Sequence, residues 1–248
     1  MDQNDIVIIT ATFFLAGIVK GVTGMGLPTV AMGVLGAVLS PLTAATLLLV
    51  PSFVTNVWQL LTGPGFKPLL RRLWPMMAAV VVGTFVGSSL LAGGAAGRTT
   101  SALGLTLIAY AAYTLCAVPR RIPSSWQPVA TPLVGFATGL VTGATGVFVI
   151  PAVPYLQALD LDKEELVQAL GLSFTVSTIA LALALGFQGA LPAGNLVPSL
   201  LAVVPALIGM AAGQAIRQRI SPSAFRRGFL ICLLLLGCEM VLRPVFAG

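Results

Sequence analysis

Two long stretches of this chain carry no charged residue, and their length limits the folds open to it. Residues 42–66 and 73–97 contain no Asp, Glu, Lys or Arg. Each can cross a hydrocarbon layer of about 30 Å as a helix of about 20 residues. The whole chain has a mean hydropathy of +1.01 and only 8% charged residues, outside the usual range of soluble domains. The sequence predicts an all-α polytopic membrane protein in contact with the lipid bilayer.

A glycine-rich sequence motif occurs twice in the chain. GIVKGVTG at residues 17–24 and GLVTGATG at residues 139–146 agree at five of eight positions. This predicts two repeats, residues 1–120 and 121–248, within a single membrane domain. Each repeat is expected to hold a broken, re-entrant pair of short helices followed by three longer transmembrane helices. Two thin crossings in place of each re-entrant pair remain an alternative.

The predicted helix boundaries follow from the apolar runs. They are 6–20, 27–39, 42–62, 73–92 and 99–118 in the first repeat, and 129–142, 147–158, 166–187, 195–215 and 227–243 in the second. Under either arrangement of the broken pair, each repeat crosses the membrane an odd number of times. The second repeat would then enter from the opposite side, so the two repeats would be inverted.

The basic residues indicate how the chain faces the membrane. With both termini outside, ten Lys and Arg residues fall in cytoplasmic segments and two, Arg98 and Arg243, fall in outer segments. Cytoplasmic loops of membrane proteins carry such an excess. The same bias accounts for the formal net charge of +6, so no nucleic-acid partner is expected.

The composition argues against catalysis. The chain has no histidine, which removes the commonest general base and metal ligand. Its three cysteines lie in apolar runs without CxxC spacing, a pattern typical of small buried apolar side chains. The long helices hold no pair of carboxylates. We therefore expect no enzymatic activity, no cofactor and no metal site.

Only the first copy of the repeated motif carries a charge, Lys20. A lone charged side chain inside a membrane costs about 2.5–3.5 kcal/mol on insertion scales and is usually functional. Helix N-termini at the two breaks would add partial positive charge and free N–H donors, and inverted repeats would aim both at one central point. With Thr142 contributed by the second repeat, this predicts a central anion site. Two alternatives stay open: the glycines serve only helix packing, or Lys20 reaches a membrane interface.

Further polar residues are candidate walls of this site. Asn56 lies about one turn from Gln59, and Ser173 lies four residues from Ser177, so each pair shares a helix face. Interhelical hydrogen bonding is the alternative role for these four. Thr23 and Thr145 are predicted N-caps of the helices that follow them. The candidate substrate-binding residues are Lys20, Gly21, Thr23, Gly24, Gly26, Asn56, Gln59, Thr142, Gly143, Thr145, Gly146, Ser173 and Ser177.

Glu239 is the only acid within a long predicted helix. Arg243 follows it by four residues and can pair with it near the outer surface. The alternative is a carboxylate that couples transport to protons.

The two glycine-rich stretches carry a resemblance to a known family. GIVKGVTGMGLPTVAMGVL, paired with GFATGLVTGATGVFVIPAVPYLQALDLDKEELVQALGLSFTVST, resembles the sulfite exporter TauE/SafE family of membrane permeases over essentially the whole chain. The resemblance implies transport of small anions, particularly sulfite, sulfonates and related sulfur or carboxylate compounds, across the bacterial inner membrane. It points to Gly21, Thr23, Gly24 and Gly26 in the first motif and to Gly143, Thr145, Gly146 and Pro151 in the second.

The chain departs from the common family pattern within both motifs. Met25 stands inside the first motif, Lys20 precedes it, and Val147-Phe148 replaces further small residues in the second. These departures leave open an organic anion larger than sulfite.

The membrane potential favours one direction of transport. With the cell interior negative, moving one negative charge outward gains about 2.3 kcal/mol per 100 mV, so an exporter needs no coupling ion. The expected function is export of a small anion by alternating access, with both termini periplasmic and the two halves rocking about the central site. The alternatives are a proton-coupled importer, an anion channel and a membrane scaffold that transports nothing. The oligomeric state does not follow from the sequence.

Overall fold

The computed structural model describes residues 3–93, 96–116, 121–217, 219 and 221–246. This part of the chain forms eleven α-helices and two short 3-10 turns, and it contains no β-strand. The first half comprises α1 (Gln3–Thr23), α2 (Leu27–Val38), α3 (Pro41–Leu61), α4 (Phe66–Gly93) and α5 (Ala96–Cys116). The second half comprises α6 (Gln127–Thr145), α7 (Ala152–Gln157), α8 (Lys163–Phe187), α9 (Leu196–Leu201), α10 (Val203–Arg217) and α11 (Pro222–Phe246).

The predicted all-α membrane class is confirmed. Six helical stretches of the described residues are long and apolar enough to cross a membrane. They are Gln3–Thr23, Pro41–Leu61, Phe66–Gly93, Gly97–Cys116, Lys163–Phe187 and Ala193–Arg217. Cys116 and Cys232 are exposed on the helix bundle rather than buried as predicted, and Cys238 is half-buried.

The first helix of each predicted short pair is longer than predicted. α1 has 21 residues and α6 has 19, about 31 and 28 Å at 1.5 Å per residue. Their partners α2 and α7 have 12 and 6 residues. Each pair is therefore one long and one short helix.

Glycines in the left-handed conformation end both long members. Gly24 has φ +79° and Gly146 has φ +72°. Their N–H groups donate to the carbonyls of Lys20 and Thr142, at 2.7 and 2.8 Å. This is the usual way for a helix to end at glycine. α1 and α6 thus continue until a glycine permits the turn.

The prediction that Thr23 and Thr145 cap the following helices is wrong. Each is the last residue of its own helix, and its hydroxyl accepts the N–H two residues further on, at 3.3 Å in both cases. The residues before α2 and α7 are Gly26 and Pro151. The two threonines therefore shape the turns rather than start the next helices.

Other boundaries also differ from the prediction. α4 begins at Phe66, seven residues before the predicted 73. The predicted helix 195–215 is divided at Ala202 into α9 and α10, because Pro205 has no N–H to donate to Leu201. At the start of α8, Asp162 caps the helix in a reciprocal capping box with Glu165, which suits the positive end of the helix.

Helices of the two halves interleave. α1 packs along α10, and the packing is close because glycines line both sides. A Cβ atom on Gly21 would lie 2.2 Å from the Met210 carbonyl oxygen, and one on Gly213 would lie 2.3 Å from that of Ile18. Neither distance is possible for a real side chain, so only glycine permits this approach.

α6 packs along α4 in the same way. A Cβ atom on Gly139 would lie 2.3 Å from the Val80 carbonyl oxygen, and one on Gly143 would lie 2.3 Å from that of Thr84. A Cβ atom on Gly83 of α4 would in turn lie 2.3 Å from the Phe136 carbonyl oxygen. We call the α1–α10 and α4–α6 contacts the two glycine seams. They confirm that the repeated glycines serve close helix packing.

α3 lies between these seams and packs against α8. Pro51 stands inside α3 and cannot donate to the Leu47 carbonyl four residues earlier. Ser199 of α9 replaces the missing partner, since its Oγ donates to Leu47 O at 2.8 Å and accepts from Val50 N at 3.3 Å. Serine and threonine hydroxyls commonly bond to backbone groups that a proline leaves unpaired in a membrane helix. α9 is thereby fixed on α3.

Polar contacts identify the two ends of the bundle. At one end, Arg72 Nη2 donates to Leu159 O at 2.9 Å, and Arg121 pairs with Asp160 at 2.9 Å. At the other ends of α3, α4 and α8, Asn195 donates to Thr46 at 2.8 Å and Gln188 donates to Ser88. The first end, which we call the basic end, also contains Lys67, Arg71 and Lys163.

Candidate functional site

Lys20 lies in the last turn of α1 and its side chain is turned into the protein. The residue is only 3% exposed. Its Nζ donates to Thr55 Oγ1 at 3.2 Å and to Asn56 Oδ1, both on α3. The carbonyl end of α1 adds a favourable partial negative charge beside the cation. Lys20 therefore does not extend to a membrane interface, which removes one of the alternatives above.

A chain of donors runs from Lys20 across to α8. Asn56 Nδ2 donates to Ser52 Oγ at 2.9 Å, and Ser52 Oγ lies 3.2 Å from Thr178 Oγ1. Thr178 Oγ1 in turn donates to Phe174 O at 2.7 Å, so the Ser52 hydroxyl must be the donor to Thr178. We call Lys20, Ser52, Thr55, Asn56 and Thr178 the Lys20 cluster. It joins α1, α3 and α8.

The positive charge of Lys20 has only neutral partners. An ammonium carries three N–H donors, and the structure gives two acceptors, a hydroxyl and an amide oxygen. Within the described part of the chain, no carboxylate contacts Nζ. A buried charge is costly unless it is paired. The cluster therefore has a free donor and an unbalanced positive charge, which a small anion would satisfy.

Gln59 of α3 links the turn after α1 to α8 by hydrogen bonds. Its Nε2 donates to the carbonyls of Gly24 and Val167, both at 3.0 Å. Its Oε1 is buried and has no hydrogen-bond partner among the described residues. The predicted common face of Asn56 and Gln59 is present, since both contact the C-terminal part of α1 or the turn after it.

Ser173 and Ser177 bring two unused hydroxyl groups to the same region. Both residues are fully buried, and neither hydroxyl has a partner within the described ranges. The neighbouring Thr175 and Thr178 instead donate to carbonyls of their own helix, at 2.7 Å each. The hydroxyls of both serines are therefore available for a further hydrogen bond. Both residues lie on α8 within five positions of Thr178 of the Lys20 cluster.

The two breaks do not meet at one point, contrary to the prediction. Gly24 contacts α3 through Gln59, whereas a Cβ atom on Gly146 would lie 3.4 Å from Ala45 Cβ. Residues 45 and 59 are separated by fourteen positions on α3, about 21 Å along a helix. α1 packs along α10 and α6 packs along α4, so the two long helices bring their breaks to different parts of α3. Lys20, one turn before its break, is the polar group at the α1–α3–α8 contact.

The comparison with known protein families agrees with this architecture. A family model described as sulfite exporter TauE/SafE matches residues 9–240. The chain belongs to this family. Searches of curated proteins and of solved structures give no match. As a member of the TauE/SafE family, the chain is a multi-pass membrane protein of a transporter family.

The TauE/SafE motif glycines have different surroundings. Gly21 and Gly143 face into the glycine seams, where the neighbouring helix fills the space of a side chain. Gly26 packs against the Val19 side chain. A Cβ atom on Gly24 would meet no atom within 4 Å, so this glycine borders open space. Of these four glycines, Gly24 alone has room for a side chain in its Cβ direction.

Thr142 and Thr145 of the second motif are buried and bonded within their own helix. Thr142 Oγ1 donates to Thr138 O, and Thr145 Oγ1 donates to Val141 O, both at 2.7 Å. No hydrogen bond joins Thr142 to Lys20 in the described part of the chain. That Thr142 joins Lys20 in holding an anion stays a prediction, since an anion between them would need no direct bond between the two residues.

Glu239 lies away from the Lys20 cluster. Its side chain is on the exposed surface of α11, rather than inside the protein as expected for a buried carboxylate. The predicted partner Arg243 has a side chain outside the described part of the structure. In this TauE/SafE chain Glu239 is therefore not one of the residues brought together at the candidate site.

Three members of the cluster were missing from the predicted site: Thr55, Ser52 and Thr178. Two signals in the sequence point toward them. Thr55 adjoins the predicted Asn56, and Ser52-Phe53 recurs as Ser173-Phe174 in the second half of this TauE/SafE chain. Thr178 has no such signal, because its role follows from the packing of α8 against α3.

Proposed function

We propose that this TauE/SafE protein is a permease for small anions and that Lys20 provides the positive charge for anion binding during passage. The observation that carries the proposal is a buried ammonium whose partners are all neutral. Sulfite, an organosulfonate or a related sulfur or carboxylate anion fits both this site and the description of the family.

Groups around the cluster can complete the coordination of such an anion. The third N–H of Lys20 would form a charge-assisted hydrogen bond, stronger than a neutral one. The unused hydroxyls of Ser173 and Ser177 are further donors. A site with one cation and several neutral donors binds an anion with moderate affinity. The anion can therefore be released on the other side of the membrane.

The packing supports an inverted internal repeat. The first helix of each half pairs with a later helix of the other half, α1 with α10 and α6 with α4. The glycines at 17 and 21, which match 139 and 143 in sequence, occupy corresponding places in these two seams. In this proposal the halves 1–120 and 121–248 are the repeats. The basic end is cytoplasmic, and both termini are periplasmic in the bacterial inner membrane.

The proposed transport cycle is alternating access. In it, each rigid unit that moves contains one helix from each repeat. The seams hold α1 to α10 and α4 to α6 through backbone contacts, so the two halves cannot rock as separate bodies without breaking both. We expect the α1–α10 and α4–α6 pairs to move against α3 and α8. The negative cell interior then drives the anion outward, by about 2.3 kcal/mol per charge per 100 mV.

Efflux of sulfite from proteoliposomes tests this proposal. With the protein inserted and the loaded interior made negative, the wild type should release sulfite faster than at zero potential. Lys20→Gln should slow efflux about tenfold or more, since a hydrogen bond to a charged group contributes about 1.5–3 kcal/mol. Lys163→Gln removes an exposed lysine and should leave efflux unchanged.

Two further results would separate the alternatives. Efflux equal to the wild type from a folded Lys20→Gln protein would refute the role of Lys20. Uptake that follows an imposed proton gradient and disappears in Glu239→Gln would replace export by proton-coupled import, with the exposed face of α11 as the coupling site.

A further inference from the structure

Three exposed basic side chains, none of them part of the Lys20 cluster, lie within six residues at the start of α4. They are Lys67, Arg71 and Arg72. Among the described residues none of the three has an acidic partner, whereas Arg121 at the same end pairs with Asp160 at 2.9 Å. Like charges this close repel each other, so the group is stabilised by an anion.

These side chains border a concave surface. One pocket of about 510 Å³ is lined by Lys67, Pro68, Arg71 and Arg72, and a second of about 240 Å³ extends from Arg72 toward the start of α6. Pro75 and Pro128 give the second pocket an accessible apolar side, whereas Leu73 and Leu159 are almost fully buried, and Ser124 and Gln127 give it a polar side. We call the two together the basic groove. It combines positive charge at one edge with apolar surface at the other.

Arg72 is held in position between the two pockets. Its Nη2 donates to Leu159 O at 2.9 Å and to Gln127 Oε1 at 3.3 Å. Both acceptors are neutral, so the positive charge is not cancelled. A guanidinium has five N–H donors in a planar fork, and those not used here are free for bidentate contact with phosphate oxygens.

Two tryptophans place the basic groove at a membrane surface. Trp74 is 61% exposed and Trp126 is 70% exposed, and each is within two residues of a residue that lines the groove. Exposed tryptophans concentrate at the level of the lipid headgroups in membrane proteins. The phosphates present at that level belong to lipids, and basic pockets between transmembrane helices suit anionic headgroups.

We propose that the basic groove binds the headgroup of an anionic phospholipid. Lys67, Arg71 and Arg72 contact the phosphate, while the apolar side formed by Pro75 and Pro128 accommodates the first carbons of an acyl chain. This lipid site shares no residue with the Lys20 cluster.

Lipid retention on the purified full-length chain tests the proposal. In an uncharged detergent, the protein is titrated with phosphatidylglycerol or phosphatidylcholine, and bound lipid is counted by native mass spectrometry. The wild type should retain phosphatidylglycerol selectively. Lys67→Gln/Arg71→Gln should weaken that binding by about fivefold for each charge removed. Arg72 is kept, because it also bonds to Leu159 and its loss would affect folding.

A matched double variant controls for net charge. Arg219→Gln/Arg227→Gln removes two exposed arginines outside the basic groove and should bind phosphatidylglycerol like the wild type. An equal loss in this control, or equal retention of phosphatidylcholine by the wild type, would overturn the proposal. So would displacement of the lipid by millimolar inorganic phosphate, since the groove would then be a site for free phosphate.

Discussion

Lys20 combines favourable contacts with a large cost. A buried charged side chain is costly unless it has a charged partner. Its position in the last turn of α1 recovers about 0.3–1 kcal/mol from the helix dipole. Its two bonds to neutral oxygens, Thr55 Oγ1 and Asn56 Oδ1, offset a further part. An anion bound beside Nζ would pair this charge, so the burial of Lys20 among neutral partners would favour anion binding.

Ser199 is a residue whose structural role can be tested directly. Ser199→Ala would leave Leu47 O and Val50 N without the partner that Ser199 Oγ provides beside Pro51. We expect a loss of about 0.5–2 kcal/mol in the free energy of unfolding, the range for hydrogen bonds between membrane helices. Melting curves of the purified protein measure it. Ser124→Ala, an exposed serine, is the control, and equal midpoints for the two variants would contradict this role.

Members of the candidate site could be recognised from the sequence only where their side-chain type is rare in membrane helices. Lys20 stood out because it is the one charge in an uncharged glycine-rich run, and Asn56 because amides are uncommon in such helices. Thr55, Ser52 and Thr178 did not stand out, since hydroxyl residues occur throughout membrane helices and usually serve packing. Their role depends on how α3 meets α8.

The helices themselves are organised by the two glycine seams. A methyl group on Gly21 or Gly143 would lie 2.2 or 2.3 Å from a backbone oxygen of the neighbouring helix, so the helices would have to separate. We expect Gly21→Ala and Gly143→Ala each to cost about 1–3 kcal/mol, the range for an overpacked core.

Melting midpoints and size-exclusion profiles of the extracted protein measure this effect. Gly228→Ala is the matched control, because Gly228 is in α11 with nothing within 4 Å of its Cβ direction. This substitution should be neutral or slightly stabilising, as expected for alanine in a helix. If Gly21→Ala and Gly143→Ala behaved like Gly228→Ala, the seams would not be the close contacts described here.

The existence of the helices followed from the sequence, but the lengths of α1 and α6 did not. The apolar run placed the end of α1 near residue 20. The helix instead continues to Thr23 and ends at Gly24, where φ is +79° and the N–H donates to the Lys20 carbonyl. The end of the helix is therefore set by the glycine that permits the turn, not by the end of the apolar run.

At the scale of the whole molecule, the two halves are not separate bundles placed side by side, because helices of one half pack along helices of the other. α1 lies along α10 and α6 lies along α4, so each half supplies the packing surface of the other. The glycine spacings indicated that some helix comes close, but not which one. Long-range pairing of this kind depends on all the helices at once and leaves no local signal.

The proposed orientation predicts how single cysteines react with a reagent that does not cross the membrane. In a protein whose Cys116, Cys232 and Cys238 are replaced by serine, Arg121→Cys and Arg219→Cys should react only from the cytoplasm. Arg98→Cys should react only from outside. The reason is the gathering of basic residues on the cytoplasmic side. Reaction of Arg121→Cys and Arg219→Cys from opposite sides would contradict the inverted repeat and this topology.

Ligand-dependent thermal unfolding tests most directly whether Lys20 binds the transported anion. Wild type, Lys20→Gln and Lys163→Gln are melted with sulfite, sulfonates, thiosulfate and small carboxylates. An anion at one hundred times its Kd should stabilise wild type and Lys163→Gln by about 2.7 kcal/mol. Lys20→Gln should melt at least as high as the wild type without anion, because the buried charge is gone, and should gain nothing from the anion. Equal stabilisation of Lys20→Gln and wild type by the same anion would contradict the account.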